Sequence, residues 1–268
     1  MPVKTDNLKS RILGRDTAFR LLLPSDYGRS RRRYPVLYLL HGLFGNCDNW
    51  LDLTDAGECS SGLDLILVCP DARDSWYTDG DLADSEQFET FFFSELIPML
   101  EGSYRIEPSR ENRAIAGNSM GGYGALKFAL KRPDLFAFTA SMSGAFDAPW
   151  QSHSSPGTDW EIMHGSIMKV FGPRHCRKRS ENDIFQILTG PDQKLPEIYF
   201  DCGSRDPFLE VNQNLDRFMN KIGIRHEYLE VEGGHDWAYW GGRIKFVIDK
   251  AVTVLGQSPV DRNTDAAS

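Results

Sequence analysis

The sequence has no apolar stretch long enough to cross a membrane, which argues against an integral membrane protein. The polar segment at residues 1–7 leads into no apolar core, so we expect no secretory signal there. The chain has fewer basic than acidic residues, 30 Lys and Arg against 38 Asp and Glu, which gives a formal net charge of −8. An acidic chain is a poor partner for nucleic acid or for an anionic membrane, so we expect neither.

Cysteine is scarce, and the five cysteines are scattered without C-x-x-C spacing, at Cys47, Cys59, Cys69, Cys176 and Cys202. An odd and dispersed set is typical of reduced thiols, so we expect a cytoplasmic protein without a disulfide framework. No set of His, Cys and carboxylate side chains has the spacing of metal ligands. We therefore expect neither a metal nor a cofactor, and the sequence leaves a homo-oligomer open.

What is present suits one large α/β domain spanning residues 1–268, because 41% of the residues are hydrophobic and 12% aromatic. Strands alternating with helices predict a mostly parallel central sheet with helices on both faces. Residues 145–196 break the alternation, and we interpret them as a cap inserted over the active site, with a surface elaboration as the alternative. Residues 256–268 predict a flexible tail.

Apolar runs and turn residues predict the individual elements. A hairpin is expected within residues 8–23, with strands at 10–13 and 18–23 and a turn at 14–16. Further strands are predicted at 34–40, 65–69, 113–118, 136–142, 197–203 and 226–231, and the strands at 34–40 and 65–69 are expected to be neighbours. Helices are predicted at 85–104, 123–130, 208–222 and 237–255, and Pro98 should kink or end the first of them.

One stretch combines a short apolar strand, Gly117-Asn118-Ser119-Met120-Gly121 and a helix-forming run. This is the strand, G-x-S-x-G and helix order of a nucleophile elbow. The tight turn needs neighbours without side chains, which Gly117 and Gly121 supply, and it exposes the Ser119 hydroxyl at a helix N-terminus. A purely structural glycine-rich turn is the alternative for this motif alone.

Two other polar residues follow predicted strands at the same edge of the sheet. Asp206 comes after the strand at 197–203, and His235 comes after the strand at 226–231. With Ser119 they occur in the chain order Ser, Asp, His, which is the order of α/β-hydrolases. His235 would take the proton from Ser119, and Asp206 would orient the imidazole. Rival acids are Asp201, Glu210 and Asp236, but Asp206 fits the position after a strand best.

The negative charge of the reaction needs backbone N–H donors beside Ser119. Met120, directly after the serine, is one candidate, and Leu43, in the loop after the strand at 34–40, is the other. Phe44 is the alternative second donor. His41 precedes this loop and is interpreted as structural, and Cys202 as a buried thiol.

The loop at residues 71–80 carries two adjacent aromatic residues, Trp76 and Tyr77. Loops at the carboxyl ends of parallel strands line the ligand crevice, so both residues are candidate walls of the substrate pocket. Capping of the core is the equal alternative for both.

A resemblance to a known family is carried by four stretches in order, Tyr34–Asn46, Gly117–Leu126, Gly203–Leu209 and Gly233–Trp240. They resemble the esterase D family, which includes S-formylglutathione hydrolases, tributyrin-type and feruloyl esterases, and the mycolyltransferases. The resemblance covers residues 8–255. It implies an α/β-hydrolase fold, Ser119, Asp206 and His235 as the triad, and Leu43 and Met120 as oxyanion donors.

Within the family, residues 74–79 and 117–124 look more like the short-chain carboxylesterase branch. S-formylglutathione hydrolases usually carry histidine where this chain has Tyr123, which argues against a glutathione thioester. We therefore predict a serine carboxylesterase that hydrolyses small short-chain acyl or acetyl esters through an acyl-enzyme. S-formylglutathione hydrolase, feruloyl esterase and acyltransferase are the enzyme alternatives, and a non-catalytic binding protein with the same fold is the alternative of another class.

Overall fold

The computed structural model describes residues 1–80, 85–190 and 194–256. Strands within them form one sheet: β1 (Val3–Lys9), β2 (Asp16–Leu22), β3 (Val36–Leu40), β4 (Ile66–Pro70), β5 (Arg113–Asn118), β6 (Phe138–Met142), β7 (Glu197–Gly203) and β8 (Glu227–Val231). Their spatial order is β1, β2, β4, β3, β5, β6, β7, β8. Strands β3 to β8 run parallel, and β2 is antiparallel to both of its neighbours.

The helices in the described ranges are α1 (Asn49–Asp52), α2 (Ala56–Cys59), α3 (Phe88–Phe91), α4 (Ile97–Ser103), α5 (Met120–Lys131), α6 (Asp159–Phe171), α7 (Arg177–Glu181), α8 (Ile184–Ile187), α9 (Leu209–Lys221) and α10 (Trp237–Val254). A π-helical segment, Phe92–Leu96, joins α3 to α4, and a short 3₁₀ turn, Arg110–Asn112, precedes β5. The predicted tail at 256–268 lies, beyond residue 256, outside the described residues.

The core lies on both sides of the sheet because successive strand residues point to opposite faces. In β3, which is buried throughout, Tyr38 and Leu40 pack on the side of α3, α4, α5 and α9. Leu37 and Leu39 pack on the other side, against α1, α2 and α10. The predicted α/β fold with a mostly parallel sheet and helices on both faces is confirmed, as is the pairing of β3 with β4.

The first predicted strand was placed too late in the chain. The structure pairs Val3–Lys9 with β2, whereas residues 10–15 form the turn, where Ser10 N–H donates to Arg15 O at 3.0 Å. The Ser10 hydroxyl oxygen accepts from Leu13 N–H at 2.8 Å, which fixes the turn locally. An edge strand that is exposed along most of its length needs no continuous apolar side, so the polar sequence of β1 gave no strand signal.

Pro98 does not end the helix that was predicted at 85–104. The helical run continues from Phe88 to Ser103, with the π-helical segment placed immediately before the proline. Pro98 lies in the first turn of α4, where a missing N–H costs little. The wider π turn supplies the change of hydrogen-bond register that proline requires.

Residues 145–196, apart from 191–193, form α6, α7, α8 and their connections between β6 and β7. Two of the hydrogen bonds that anchor them to the domain involve α5 and the loop after β4. Tyr123 OH on α5 donates to Asn182 O at 2.7 Å, and Trp76 Nε1 donates to Ser166 Oγ on α6 at 2.9 Å. This segment therefore holds a defined position over α5 and over the loop that follows β4.

Candidate active site

Ser119 lies on the turn between β5 and α5, with φ of 54° and ψ of −119°. A positive φ in a residue other than glycine costs about 1–3 kcal/mol. Hydrogen bonds on both sides hold it there: Ser119 N–H donates to Met142 O at 2.9 Å, and Ser119 O accepts from Tyr123 N–H at 3.0 Å. The backbone of β6 and the first turn of α5 thus keep the serine side chain at the end of the sheet.

The two glycines of the motif allow the helix to lie close to the sheet. A Cβ at Gly117 would be 2.5 Å from the carbonyl carbon of Gly121 and 2.8 Å from Leu40 O. A Cβ at Gly121 would be 2.6 Å from His41 O. Both positions therefore exclude every side chain, because these neighbours are backbone atoms that have little room to move.

His235 and Asp206 meet Ser119 at the carboxyl ends of the strands. The distance from His235 Nε2 to Ser119 Oγ is 3.0 Å, and that from His235 Nδ1 to Asp206 Oδ2 is 2.9 Å. With Nδ1–H donating to the carboxylate, Nε2 carries the lone pair and accepts from the serine hydroxyl. The arrangement can deprotonate Ser119 as it attacks an electrophile.

Asp206 is held rigidly behind the histidine. Its Oδ1 accepts from Phe208 N–H at 2.8 Å, which closes a turn before α9 and leaves Oδ2 for His235. The carboxylate is fully buried, whereas the imidazole is 23% exposed. The acid therefore faces the histidine and the histidine faces the substrate side.

The three rival acids have other surroundings. The Asp201 carboxylate is buried and accepts from Tyr239 OH at 2.8 Å and from Arg243 Nε–H at 2.9 Å. Burial raises the pKa of Asp201, against the opposing effect of these donors. Asp236 caps α10 by accepting from Tyr239 N–H at 2.9 Å. Glu210 is exposed on α9.

The loop after β3 offers an N–H group beside the serine. Phe44 N–H donates to Asp74 Oδ1 at 3.0 Å, so this amide already has an acceptor. Within the described ranges, the N–H groups of Leu43 and Met120 have no acceptor. This difference favours Leu43 over Phe44 as the donor that would accompany Met120.

His41 shapes the same loop from beneath and is buried. Its Nε2 accepts from Ala72 N–H at 2.9 Å, so Nδ1 carries the hydrogen and donates to Gly42 O at 2.7 Å. Burial lowers the pKa of His41, which keeps the ring neutral. The side chain joins the loops after β3 and β4, which is a structural role. Cys202 is buried, and burial raises the pKa of its thiol above the ordinary range.

A cavity of about 520 Å³ opens above Ser119 and His235. It is lined by the loop after β3, the elbow, the loops before α9 and α10, and the start of α6, with the residues Gly42, Leu43, Phe44, Gly45, Asn49, Trp76, Asn118, Ser119, Asp159, Trp160, Met163, Pro207, Phe208, His235, Asp236, Trp237 and Trp240. The segment at 145–196 thus contributes Asp159, Trp160 and Met163 to one wall.

Trp76 and Tyr77 do not share one role. Trp76 lines the cavity, although it is otherwise buried. Tyr77 does not: it is fully buried, and its OH donates to His41 O at 2.8 Å. A Cβ at Gly124 would be 2.5 Å from the Tyr77 ring, so this ring packs against α5. Of the two roles that the sequence left open for Tyr77, its burial and its bond to His41 O favour capping of the core, whereas Trp76 takes a place in the cavity wall.

Most aromatic residues of the wall were not predicted. The Phe208 ring lies 5.0 Å from the His235 ring and 6.0 Å from the Trp160 ring, and the Trp240 ring lies 4.9 Å from that of His235. Trp237 continues this row, 5.1 Å from Trp240. Their positions next to Asp206 and His235 in sequence were a usable signal, since residues beside catalytic candidates share their loops.

No group of three or more His, Cys, Asp or Glu in the described ranges could hold a metal ion. No helix in the described part of the chain is long and apolar enough to cross a bilayer.

In sequence and in fold the chain is similar to proteins named as esterases and serine hydrolases. Residues 10–246 match the family model "Putative esterase". An acetyl esterase of Caldicellulosiruptor saccharolyticus is 32% identical over 255 residues, a match that covers 90% of this chain and 94% of that protein. A solved ferulic acid esterase is 27% identical with a TM-score of 0.81, covering 94% of this chain and 97% of that one. The fold is also that of the fluorophosphonate-binding serine hydrolase FphF of Staphylococcus aureus, at 24% identity and a TM-score of 0.83 over 94% of this chain and 98% of that one.

Proposed function

The chain belongs to this esterase family and is a serine carboxylesterase, and we propose that Ser119, His235 and Asp206 are its catalytic triad, acting on acetyl and other short-chain acyl esters. The observation that carries the proposal is the pair of hydrogen bonds that join the three side chains, at 3.0 Å and 2.9 Å. A binding protein would have no use for a strained serine aligned with a histidine.

The chemistry follows from this alignment. Ser119 Oγ attacks the ester carbonyl carbon while its proton passes to His235 Nε2, and the buried Asp206 carboxylate stabilises the charged imidazole. The carbonyl oxygen takes up negative charge and is bound by the N–H groups of Leu43 and Met120. His235 then gives the proton to the departing alcohol, which leaves the acyl group on Ser119.

Water then hydrolyses the acyl-enzyme, with His235 again acting first as a base and then as an acid. His235 takes a proton from the water molecule, whose oxygen attacks the acyl carbon, and returns that proton to Ser119 as the acid leaves. An acceptor alcohol in place of water would give acyl transfer by the same route. We assign hydrolysis because the matching family model and the related acetyl esterase are both named for ester cleavage.

The size and lining of the cavity support a small ester. About 520 Å³ must hold both the acyl group and the alcohol. Apolar walls formed by Met163, Phe208 and Trp240 suit a short acyl chain, and the related acetyl esterase supports acetate as one such group. Residues 145–196 act in this proposal as a cap, since α6 supplies part of the wall.

A hydroxycinnamoyl ester is the second candidate substrate. The specific observation in its favour is the row of aromatic rings beside His235, against which a planar aromatic acyl group would stack. The solved ferulic acid esterase supports the same candidate. Tyr123, the residue on which the sequence disfavoured a glutathione thioester, is buried and donates to Asn182 O instead of lining the cavity, so any effect of this residue on substrate choice is indirect.

We also propose a cytoplasmic location, which the buried free thiols of Cys47, Cys69 and Cys202 support. These cysteines would be exposed to pairing and oxidation in an oxidising compartment during folding.

The test is hydrolysis of p-nitrophenyl esters from acetate to laurate, with methyl ferulate measured alongside. Ser119→Ala should lower kcat on the order of a millionfold, as in other serine hydrolases. Ser60→Ala is the matched control, because Ser60 is a buried serine of the α2 region whose hydroxyl donates to Ala56 O at 2.8 Å away from the cavity. Full activity of Ser119→Ala would refute the mechanism, and activity only above octanoate would refute the short-chain assignment.

A further inference from the structure

The charged groups that line the cavity are all of one sign apart from the catalytic histidine. Among the lining residues of the described chain, Asp159 and Asp236 are carboxylates, and none is Lys or Arg. Asp74 adds a third carboxylate at the loop that carries Phe44, where its Oδ1 accepts the Phe44 N–H. A substrate group that enters this cavity therefore meets negative potential.

Each lining carboxylate stands next to an indole in the sequence. Asp159 precedes Trp160 at the start of α6, and Asp236 precedes Trp237 at the start of α10. Both acids are exposed and both tryptophans are partly exposed, so neither pair is buried in the core. The lining of one cavity thus includes two exposed carboxylates and two partly exposed indoles.

Helix capping accounts for only one of the two acids. Asp236 Oδ1 caps α10 through Tyr239 N–H, which gives that carboxylate a structural role. The cap residue of α6 is Thr158, and within the described ranges the Asp159 side chain accepts no hydrogen bond. The first turn of α6 also carries Glu161, whose Oε2 accepts from Gly157 N–H at 2.7 Å and which does not line the cavity.

Aromatic faces beside carboxylates bind a compact, weakly hydrated cation. We propose that this site prefers esters whose alcohol carries a quaternary ammonium group, with Asp159 and Trp160 as specificity-determining residues. The inference rests on the proposed esterase function and deepens it, since the bond that breaks is the same. The acyl group goes to Ser119 and the cationic alcohol leaves with the proton from His235.

Geometry places the cation on the outer part of the cavity. The inner wall beside Ser119 and His235 is apolar, with Phe208 and Trp240 nearly buried, and suits the acyl group. Trp160 and Trp237 are more exposed and stand farther out along the aromatic row. The alcohol portion, which departs first, lies on the side that opens to solvent.

The experiment compares two acetyl esters of equal shape, acetylcholine and its neutral isostere 3,3-dimethylbutyl acetate, by pH-stat titration. We expect kcat/KM for acetylcholine to be about tenfold higher, mainly through a lower KM, because one ring contact and one partly screened carboxylate favour the cation. The ratio should fall in high salt, since the carboxylates are exposed.

Three variants test which residues produce the preference for the cationic ester. Asp159→Asn should lower the acetylcholine-to-isostere ratio about threefold, and Trp160→Leu should lower it by a similar factor. Glu161→Gln removes the same charge from the same helix turn and should leave the ratio unchanged. A ratio near one in the intact protein, or equal losses in Asp159→Asn and Glu161→Gln, would overturn the inference.

Hydrolysis of p-nitrophenyl acetate, measured in the same experiment, distinguishes failure of this inference from failure of the proposed function. Activity on that neutral ester with no preference between the two matched esters contradicts the cation preference alone. Absence of activity on all three esters contradicts the esterase function itself.

Discussion

Substitution of Arg243 by methionine should destabilise the protein strongly, because it removes the cation beside a buried carboxylate. Arg243 on α10 donates from Nε to Asp201 Oδ2 at 2.9 Å and from Nη2 to Tyr199 OH at 2.6 Å. The Asp201 side chain on β7 is fully buried, and the Arg243 side chain is only 16% exposed. The pair therefore joins α10 to β7, the neighbour of the edge strand β8, in a region of low dielectric.

Removal of one partner of a buried ion pair costs about 3–5 kcal/mol. The lower end of this range applies here, since Tyr199 OH and Tyr239 OH still donate to the carboxylate in the variant. We expect a loss of about 3 kcal/mol in the free energy of unfolding at pH 8. The double variant Arg243→Met/Asp201→Asn should recover at least about 1 kcal/mol, because a neutral amide needs no cation.

The sign of the pH dependence follows from the pKa of Asp201. Burial already raises this pKa above 3.8, and removal of Arg243 raises it further. The folded variant then keeps a proton that the unfolded chain has released, so stability falls as pH rises through the folded-state pKa. The cost of Arg243→Met should therefore be smaller at pH 5 than at pH 8.

Urea denaturation followed by circular dichroism at both pH values measures these quantities. Lys245→Met is the matched control: Lys245 lies on the same helix, pairs with Asp249 and is 55% exposed, so its loss should cost less than about 0.5 kcal/mol. The reasoning is refuted if Arg243→Met costs no more than this control, or if Asp201→Asn brings no recovery.

Two further predictions concern the elbow and the acid. Gly121→Ala should lower the free energy of unfolding by about 2–3 kcal/mol and remove most of the esterase activity, because its Cβ would lie 2.6 Å from His41 O. Gly28→Ala is the control, because a Cβ at that position meets open space. A normal urea midpoint for Gly121→Ala would contradict the packing argument. Asp206→Asn should lower kcat on p-nitrophenyl acetate by about four orders of magnitude with little change in stability, since the amide favours the wrong imidazole tautomer. A loss of less than tenfold in that assay would mean that Asp206 does not orient His235.

The Asp201 network also bears on the position of His235. Tyr239 links Asp201 to the start of α10, and Asp236, directly after His235, caps that helix. A Cβ at Gly233 would be 3.1 Å from Tyr239 Cγ and nearer still to the ring edge, so the loop before His235 packs on the same side chain. A buried acid that lies outside the proposed triad therefore supports the loop that presents the histidine.

Prediction from the sequence failed at particular residues, and each failure has a physical reason. The sequence contained no information on side-chain direction in the loop at 71–80, and so Trp76 and Tyr77 received the same role. It gave β1 no signal because an exposed edge strand needs no apolar face. The aromatic row from Trp160 to Trp237 joins residues far apart in the chain, which no local pattern connects.

Local chemistry alone determined the strand and helix order, the elbow around Ser119 and the positions of Asp206 and His235 after their strands, because hydrophobic periodicity and glycine placement act over a few residues. The α/β-hydrolase fold followed from that order and is confirmed. Only the tertiary structure decided which loop residues face the cavity, how the segment at 145–196 supplies Asp159 and Trp160 to its wall, and why Asp201 and Asp236 are engaged elsewhere. Those features depend on distances between segments that are distant in sequence, and packing fixes such distances only when the whole chain has folded.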